Sequence, residues 1–428
     1  MPTTISAARL RSFVTAYIAG VALVTLTFAL LNARVAHPWI IGEWLINYTG
    51  GFLRRGLLGQ LLLLANHLTR LPLVGLAAAL QLLLYTAFYL SVLPLLRDIR
   101  WSLPLLALLL SPATLAFTVL DPPTSVRKEI LLFLALSLLV NAVLFLRPRP
   151  WHLALALSIV TPVLLLTHEA LLAFLPYLFL PLLLAAPRLR DAARLAAIPI
   201  LLAAVTSLAS MTHPGGRREA EAICRSVGGH LDGQPAGLCN GAIKYLEYTP
   251  AQARAETLRA IRFYNYRIRY PLPMLLTLTP IALLFRRRLL GTSGRATTLL
   301  LVVTALSAAA SLPLFVIARD WGRWLEIHAT CLLLLFLLLN RRKPVAQADG
   351  PAVTAAEAST GLALHRPHTA RLLALALYAT CWTLPAVGIF PGRFGYVDLV
   401  RYLHSYRSKP HLSTTAPPAA HPTPIDSP

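Results

Sequence analysis

Charge is what this sequence has least of. Only 13% of its 428 residues are charged, against 57% apolar, and mean hydropathy is +0.64. A soluble domain runs nearer a quarter charged and half apolar, so a soluble fold is excluded. Several apolar runs reach or approach the length that crosses a bilayer. Acid is scarcer than base: 17 Asp and Glu stand against 39 Lys and Arg, a net charge of +22. In a soluble chain that excess would suggest nucleic acid. In a chain this apolar it reflects the Lys and Arg that collect in cytoplasmic loops, and no nucleic-acid partner is expected. A small-x-small cleavage site is also missing after the first apolar run. Arg34 holds the position before Ala36 that would need a small residue, so the run reads as an uncleaved span. No internal repeat is present, which weighs against transporter folds built from duplicated halves. Cysteines number four. Cys331 and Cys381 lie in apolar runs and read as packing residues, while Cys224 and Cys239 share the one long polar loop.

What is present is a succession of apolar runs. The first spans Phe13 to Leu31. Others follow at Leu71 to Leu96, Leu103 to Leu120, Ile130 to Leu146, Leu153 to Leu166 and Ala170 to Ala186. The rest are Leu195 to Met211, Pro271 to Phe285, Thr297 to Ile317, Leu325 to Leu339 and Leu372 to Phe390. The expected fold is therefore an all-α polytopic membrane protein of about 11 transmembrane helices, a single helical domain over 1–408. Leu57 to Asn66 is too short to span and reads as re-entrant or interfacial. Residues 212–270 form one larger extracytoplasmic loop, 344–369 a cytoplasmic linker and 409–428 a disordered tail. With a cytoplasmic N-terminus, the inward loops are 97–100, 147–149, 188–194, 286–295 and 341–343, all short and basic.

The same alternation sends the chemically richer segments to the opposite face. Foremost is Trp39 to Gly56, which holds Glu43, Trp44, Tyr48, Phe52, the Gly50-Gly51 pair and Arg54-Arg55. Adjacent glycines allow close backbone approach, and paired arginines can grip a phosphate bidentately. Its plain alternative is an interfacial aromatic belt with a solvated glutamate. Asp121 to Glu129 brings Arg127 and Lys128 against the next apolar run, where they are either ligand-binding cations or locally paired charges. His168 and Glu169 divide two apolar runs with almost no loop, as a second acid/base, a metal ligand or an interhelical hydrogen bond. Arg319 to Trp324 offers Asp320 and Arg323 with Trp321 and Trp324, tryptophans that can stack on sugar rings or merely anchor the interface. Carboxylates at Glu43, Asp121, Glu169 and Asp320 could converge on a divalent cation, although nothing in their spacing demands one. In an oxidising compartment Cys224 and Cys239 can pair, worth about 3 kcal/mol for such a loop. A metal site using His230 and Asp232 is the lesser alternative. Ala251 to Arg262 reads as a short amphipathic helix on the membrane surface.

Many helices, an acidic residue in the first outward loop and outward arginines together resemble the class C glycosyltransferases and the related O-antigen polymerases of bacterial surface polysaccharide synthesis. The resemblance covers the layout of the whole chain and includes no diagnostic motif. The Asp-Asp or Asp-Glu pairing of many class C members is absent. It implies a multi-pass enzyme of the bacterial inner membrane that uses a polyprenyl-phosphate-linked sugar at the extracytoplasmic face. Glu43 would stand at the position of the family's base or metal ligand, with Asp121, Glu169 and Asp320 as the other candidate catalytic carboxylates. Arg54, Arg55, Arg127, Lys128 and Arg323 would hold the donor's phosphate, with Trp321 and Trp324 against its sugar. The rival reading is a transporter or flippase of an anionic lipid-linked sugar.

Overall fold

The computed structural model describes residues 6–229, 237–291, 294–341, 368–385, 396 and 399–400. The described residues are 77% helical and contain no strand. Seven helices are long and apolar enough to cross a membrane: Ala7–Arg34, Leu73–Leu96, Pro150–Thr167, Leu189–Thr212, Tyr266–Leu289, Arg295–Ile317 and Trp321–Leu339. The chain is thus an all-α protein of multi-pass membrane character. Shorter apolar helices occupy Leu57–Thr69, Ile130–Leu146, Glu169–Ala185 and Ala370–Thr380. Position 344–367 of the expected linker, most of 391–398 and the tail 409–428 lie outside the described residues.

One expected span is not a continuous helix. Leu103–Leu109 and Phe117–Leu120 are separate helices joined by turns. The cause is legible in Ser111-Pro112: proline has no N–H and drives the residue before it out of the helical region. Ser111 and Thr114 then satisfy the freed backbone, Thr114 Oγ1 donating to Leu108 O at 2.9 Å and Ser111 Oγ accepting from Ala113 N at 3.2 Å. The break is buried throughout, the condition under which irregular backbone is tolerated at membrane depth.

Trp321–Leu339 is the axis of the bundle. Of its apolar window 89% is buried, against 22–39% for the other long helices. A helix buried on nearly every face must be surrounded by protein or lipid, and here the surroundings are protein. Its two ends define the two poles of the molecule, roughly 28 Å apart at 1.5 Å per residue. At the C-terminal pole the basic loops are tied together. Arg341 donates to Arg97 O at 2.9 Å, Arg288 to Leu339 O at 3.0 Å, and Arg295 to Pro187 O at 2.8 Å.

The N-terminal pole carries a small second core. Ile46 and Leu53 of the first loop pack with Ala220, Ile223, Cys224, Cys239, Ile243 and Leu246. Cys224 and Cys239 are joined by a disulfide, and the cap they staple is fastened to the first loop by polar bonds. Arg54 N donates to His213 O at 3.0 Å, Asn47 Nδ2 to Ser226 Oγ at 2.9 Å, and Ala242 N to Pro38 O at 3.2 Å. Gly50 is needed here, because a Cβ at that position would stand 2.8 Å from Glu219 Cα. Its close approach is to the cap and not, as the sequence suggested, to a ligand. His230 and Asp232 lie outside the described residues.

Candidate active site

At the N-terminal pole the apolar bundle is interrupted by a continuous network of buried charge. The short helix Ile40–Trp44 is buried along its whole length, which takes Glu43 inside, and Arg127 meets it there. Arg127 Nη1 lies 2.8 Å from Glu43 Oε2 and 3.2 Å from Trp39 O. Burial alone would push the Glu43 carboxyl up. Arg127 and Arg323 outweigh it and hold the group below the usual carboxylate range, so Glu43 is ionised. An ion-paired carboxylate is a weak base. Glu43 is better suited to orient a hydroxyl than to strip it unaided.

The next link is His168, in extended backbone between Pro150–Thr167 and Glu169–Ala185. Its Nδ1 accepts from Ala170 N at 3.3 Å, which puts the proton of the neutral ring on Nε2. That nitrogen sits 3.7 Å from Glu43 Oε1 and 3.8 Å from Glu129 Oε1, between two carboxylates and beyond hydrogen-bond reach of either. Burial, with Arg55 adding to it, lowers the imidazole to about 4. Glu129 in turn binds Arg323, and Arg323 Nη1 reaches Asp320 Oδ2 at 2.7 Å. Asp320 is held low: burial raises it, but Arg323, Arg127 and Arg319 prevail.

Arg54 and Arg55 close the network toward solvent. Arg55 makes a bidentate pair with Glu169, both bonds 2.7 Å, while Arg54 reaches the same carboxylate at 3.4 Å. These three side chains retain 20–24% exposure, against 2–5% for Glu43, His168, Glu129 and Arg323. Lys128 differs from the arginines. It is fully buried, donates to Arg55 O at 3.1 Å and Thr167 O at 3.3 Å, and has no carboxylate within ion-pair distance among the described residues. Burial lowers its ammonium to about 8.

The backbone that presents these groups is strained. Val126 has φ 58° and Arg55 has φ 69°, and for a β-branched residue such a value is an outlier costing roughly 1–3 kcal/mol. Three side chains hold the Val126 turn. Trp44 Nε1 and Gln81 Nε2 donate to Val126 O at 3.1 and 3.4 Å, and Tyr85 Oη donates to Arg127 O at 3.3 Å. The result is that Arg127, Lys128 and Glu129 all enter the network from one turn.

Compared with known proteins, the chain matches no family model, no curated protein and no solved structure. The site must be read from its own geometry.

Of the residues singled out from the sequence, Glu43, Arg54, Arg55, Arg127, Lys128, Glu169, Asp320 and Arg323 are brought together. Asp121 is buried at the side of the cluster, where it acts electrostatically on Tyr270 and Glu326. The tryptophans separate. Trp324 is buried between Arg323 and Phe174, with ring centroids 6.3 Å apart in the second contact, whereas Trp321 keeps partial exposure against Tyr266 and Tyr270. Only Trp321 has ring surface to offer a sugar. The carboxylates do not fit a divalent cation: Glu43, Glu169 and Asp320 each face a different arginine, and among the described residues no three His, Cys, Asp or Glu side chains are arranged to hold a metal ion. The sequence reading gave Glu129 and His168 too little weight. Both stand at the hub, and the signal available was an ionisable residue at the head of an apolar run, where burial is costly.

Proposed function

We propose that this chain is a membrane glycosyltransferase or polymerase of the bacterial inner membrane, using a polyprenyl-phosphate-linked sugar at the extracytoplasmic face in cell-envelope polysaccharide synthesis. The class C layout is the relative it suggests. The observation that carries the reading is the charge network itself. Five carboxylate–guanidinium contacts run through a pole of the bundle that could have been apolar. Buried pairs of this kind are often neutral or worse for stability than apolar replacements. Their presence beside strained backbone favours chemistry over packing.

In this reading the donor's phosphate enters at Arg54 and Arg55, and Lys128 supplies a cation with no carboxylate within ion-pair distance among the described residues. Glu43 orients the acceptor hydroxyl. The hydroxyl oxygen forms the new bond to the anomeric carbon as the bond to the phosphate oxygen breaks, and the polyprenyl phosphate leaves with that electron pair, stabilised by the arginines. The hydroxyl proton passes to carboxylate at Glu43 as Arg127 releases it. The opposite, basic pole would face the cytoplasm. A transporter or flippase remains the second reading, favoured by one observation: Glu326 is a buried carboxyl one turn inside Trp321–Leu339 with no hydrogen bond or ion pair among the described residues.

Mass spectrometry of lipids co-purifying with the protein tests the substrate class. Arg54→Ala is the control, since its long contact to Glu169 leaves the Arg55 pair intact. A polyprenyl-phosphate sugar present in wild type and lost in the variant supports the proposal. Ordinary phospholipid alone, equal in both, refutes it. Glu43→Gln then separates transfer, which it abolishes, from transport, which it spares.

A further inference from the structure

The helix Pro250–Phe263 is not accounted for by the charge network. It starts with a capping box, Thr249 with Gln252, buries Thr257 and Ala260, and packs against Leu314–Ile317. At Asn265 the backbone turns left-handed, φ 51° and ψ 54°, and the chain enters the long apolar helix Tyr266–Leu289. Tyr266 Oη donates to Arg319 O at 2.8 Å, so this arm lies at the same pole as Asp320 and Arg323.

Its outward surface combines two chemistries. Phe263 is 71% exposed and Ile268 78% exposed, with Leu258 beside them, and Leu312, Val316 and Ile317 extend the apolar surface onto the neighbouring segment. Arg254, Leu258 and Arg262 follow at four-residue spacing, so they share one side of the helix. Arg259 is exposed and bonded to Glu256 at 3.1 Å. Arg254, Arg262 and Arg267 are exposed with no carboxylate partner among the described residues. An aqueous surface would explain the arginines but not the fully presented Phe263 and Ile268. A hydrocarbon surface would explain the reverse. The boundary between them accepts both, because apolar side chains sink below the headgroups while arginines stay at phosphate level.

We propose that residues 250–268 form a docking arm for anionic phospholipid headgroups at the membrane surface. Charge complementarity selects the occupant: unpaired arginines beside an apolar patch prefer phosphodiesters carrying net negative charge to zwitterionic ones. The proposal is independent of the glycosyl-transfer reading. It needs only the exposed side chains and the adjoining membrane-spanning helix.

Hydrogen exchange of the full chain in nanodiscs tests it, with phosphatidylcholine discs compared with discs containing phosphatidylglycerol. Each arginine near an anionic surface favours docking by about fivefold at low salt, so exchange over 250–263 should slow by about tenfold or more with the anionic lipid, and the slowing should fade at high salt. Arg254→Gln/Arg262→Gln/Arg267→Gln should remove it, while Arg217→Gln on the exposed cap helix should not. All these positions are exposed, so the variants are not expected to unfold. Equal exchange in the two discs overturns the proposal, as does slowing that survives in the triple variant. Slowing by inorganic phosphate in phosphatidylcholine discs also overturns it, because the occupant would then be a soluble anion.

Discussion

Arg127→Met is the perturbation that most directly separates a structural network from a functional one. The Glu43–Arg127 pair has side-chain exposures of 2% and 11% and a 2.8 Å contact. Removing the guanidinium leaves Glu43 charged and buried, with its next neighbour, the neutral His168, at 3.7 Å. Trp39 O loses a donor as well. Breaking one side of a buried pair costs roughly 3–5 kcal/mol, whereas an exposed site such as Arg217→Ala should stay within about 0.5 kcal/mol. The double variant Glu43→Gln/Arg127→Met removes the stranded charge and should recover part of the loss, giving a coupling of about 1–3 kcal/mol in the cycle. The assay is thermal and denaturant unfolding in detergent for all four members. Arg127→Met no worse than Arg217→Ala would refute the burial argument. Activity decides the rest. If the pair only packs, the double variant regains function with its stability; if it acts on substrate, the double variant is stable and inactive.

Acid sensitivity should reside partly in His168. Its pKa of about 4, below the ordinary 6.5, means that the unfolded chain binds the extra proton. Its contribution is therefore intact above pH 6.5 and is lost as pH falls toward 4, by roughly 3 kcal/mol in all. His168→Gln should reduce the fall in melting temperature between pH 7 and 4.5 without abolishing it, because His37, lowered to about 4 by burial and then by Arg127, titrates in the same window. An unchanged profile would mean that His168 does not titrate with folding. Loss of the staple in Cys224→Ser/Cys239→Ser should loosen the cap over its 15-residue separation by about 3 kcal/mol. Limited proteolysis would then cut between 212 and 248 while the bundle persists, and cleavage at the wild-type rate would show that the cap stands without its bridge.

Much of the site was legible because apolar runs make charge conspicuous. Arg127 and Lys128 at the head of Ile130–Leu146, and Glu169 at the head of Glu169–Ala185, stand where a helix entering lipid has no use for them. The pairing was not legible. Which carboxylate answers Arg323 depends on bringing a turn at 121–129 beside a helix almost two hundred residues later, and sequence spacing carries no trace of that contact. The same limit hid Trp324. In sequence it is an interfacial tryptophan like Trp321, and only the rotation of the central helix turns it toward Phe174. The fold differs from the expectation where hydropathy outweighed a local rule: Leu103 to Leu120 is predominantly apolar, yet Ser111-Pro112 breaks it.

The order of exposure within the network argues for the direction from which a ligand comes. Arg54, Arg55 and Glu169 retain about a fifth of their surface, as does Asp320 at the far end, while His168, Glu129 and Arg323 between them retain almost none. Under the proposed function an arriving anion meets Arg54 first, because the other exposed end of the network is the Asp320 carboxylate, and Arg54 is also the cation of the network whose contact to a carboxylate is longest. In that reading Glu169 fills the place a phosphate would take, as an internal anion that keeps two adjacent guanidinium groups from repelling one another. Displacing it from Arg54 costs one long contact, while the bidentate bond to Arg55 remains to hold the carboxylate inside the protein. The deeper cations can then act on the ligand through the field they already impose on Glu43, with no rearrangement of the strained turn at Val126 that positions them.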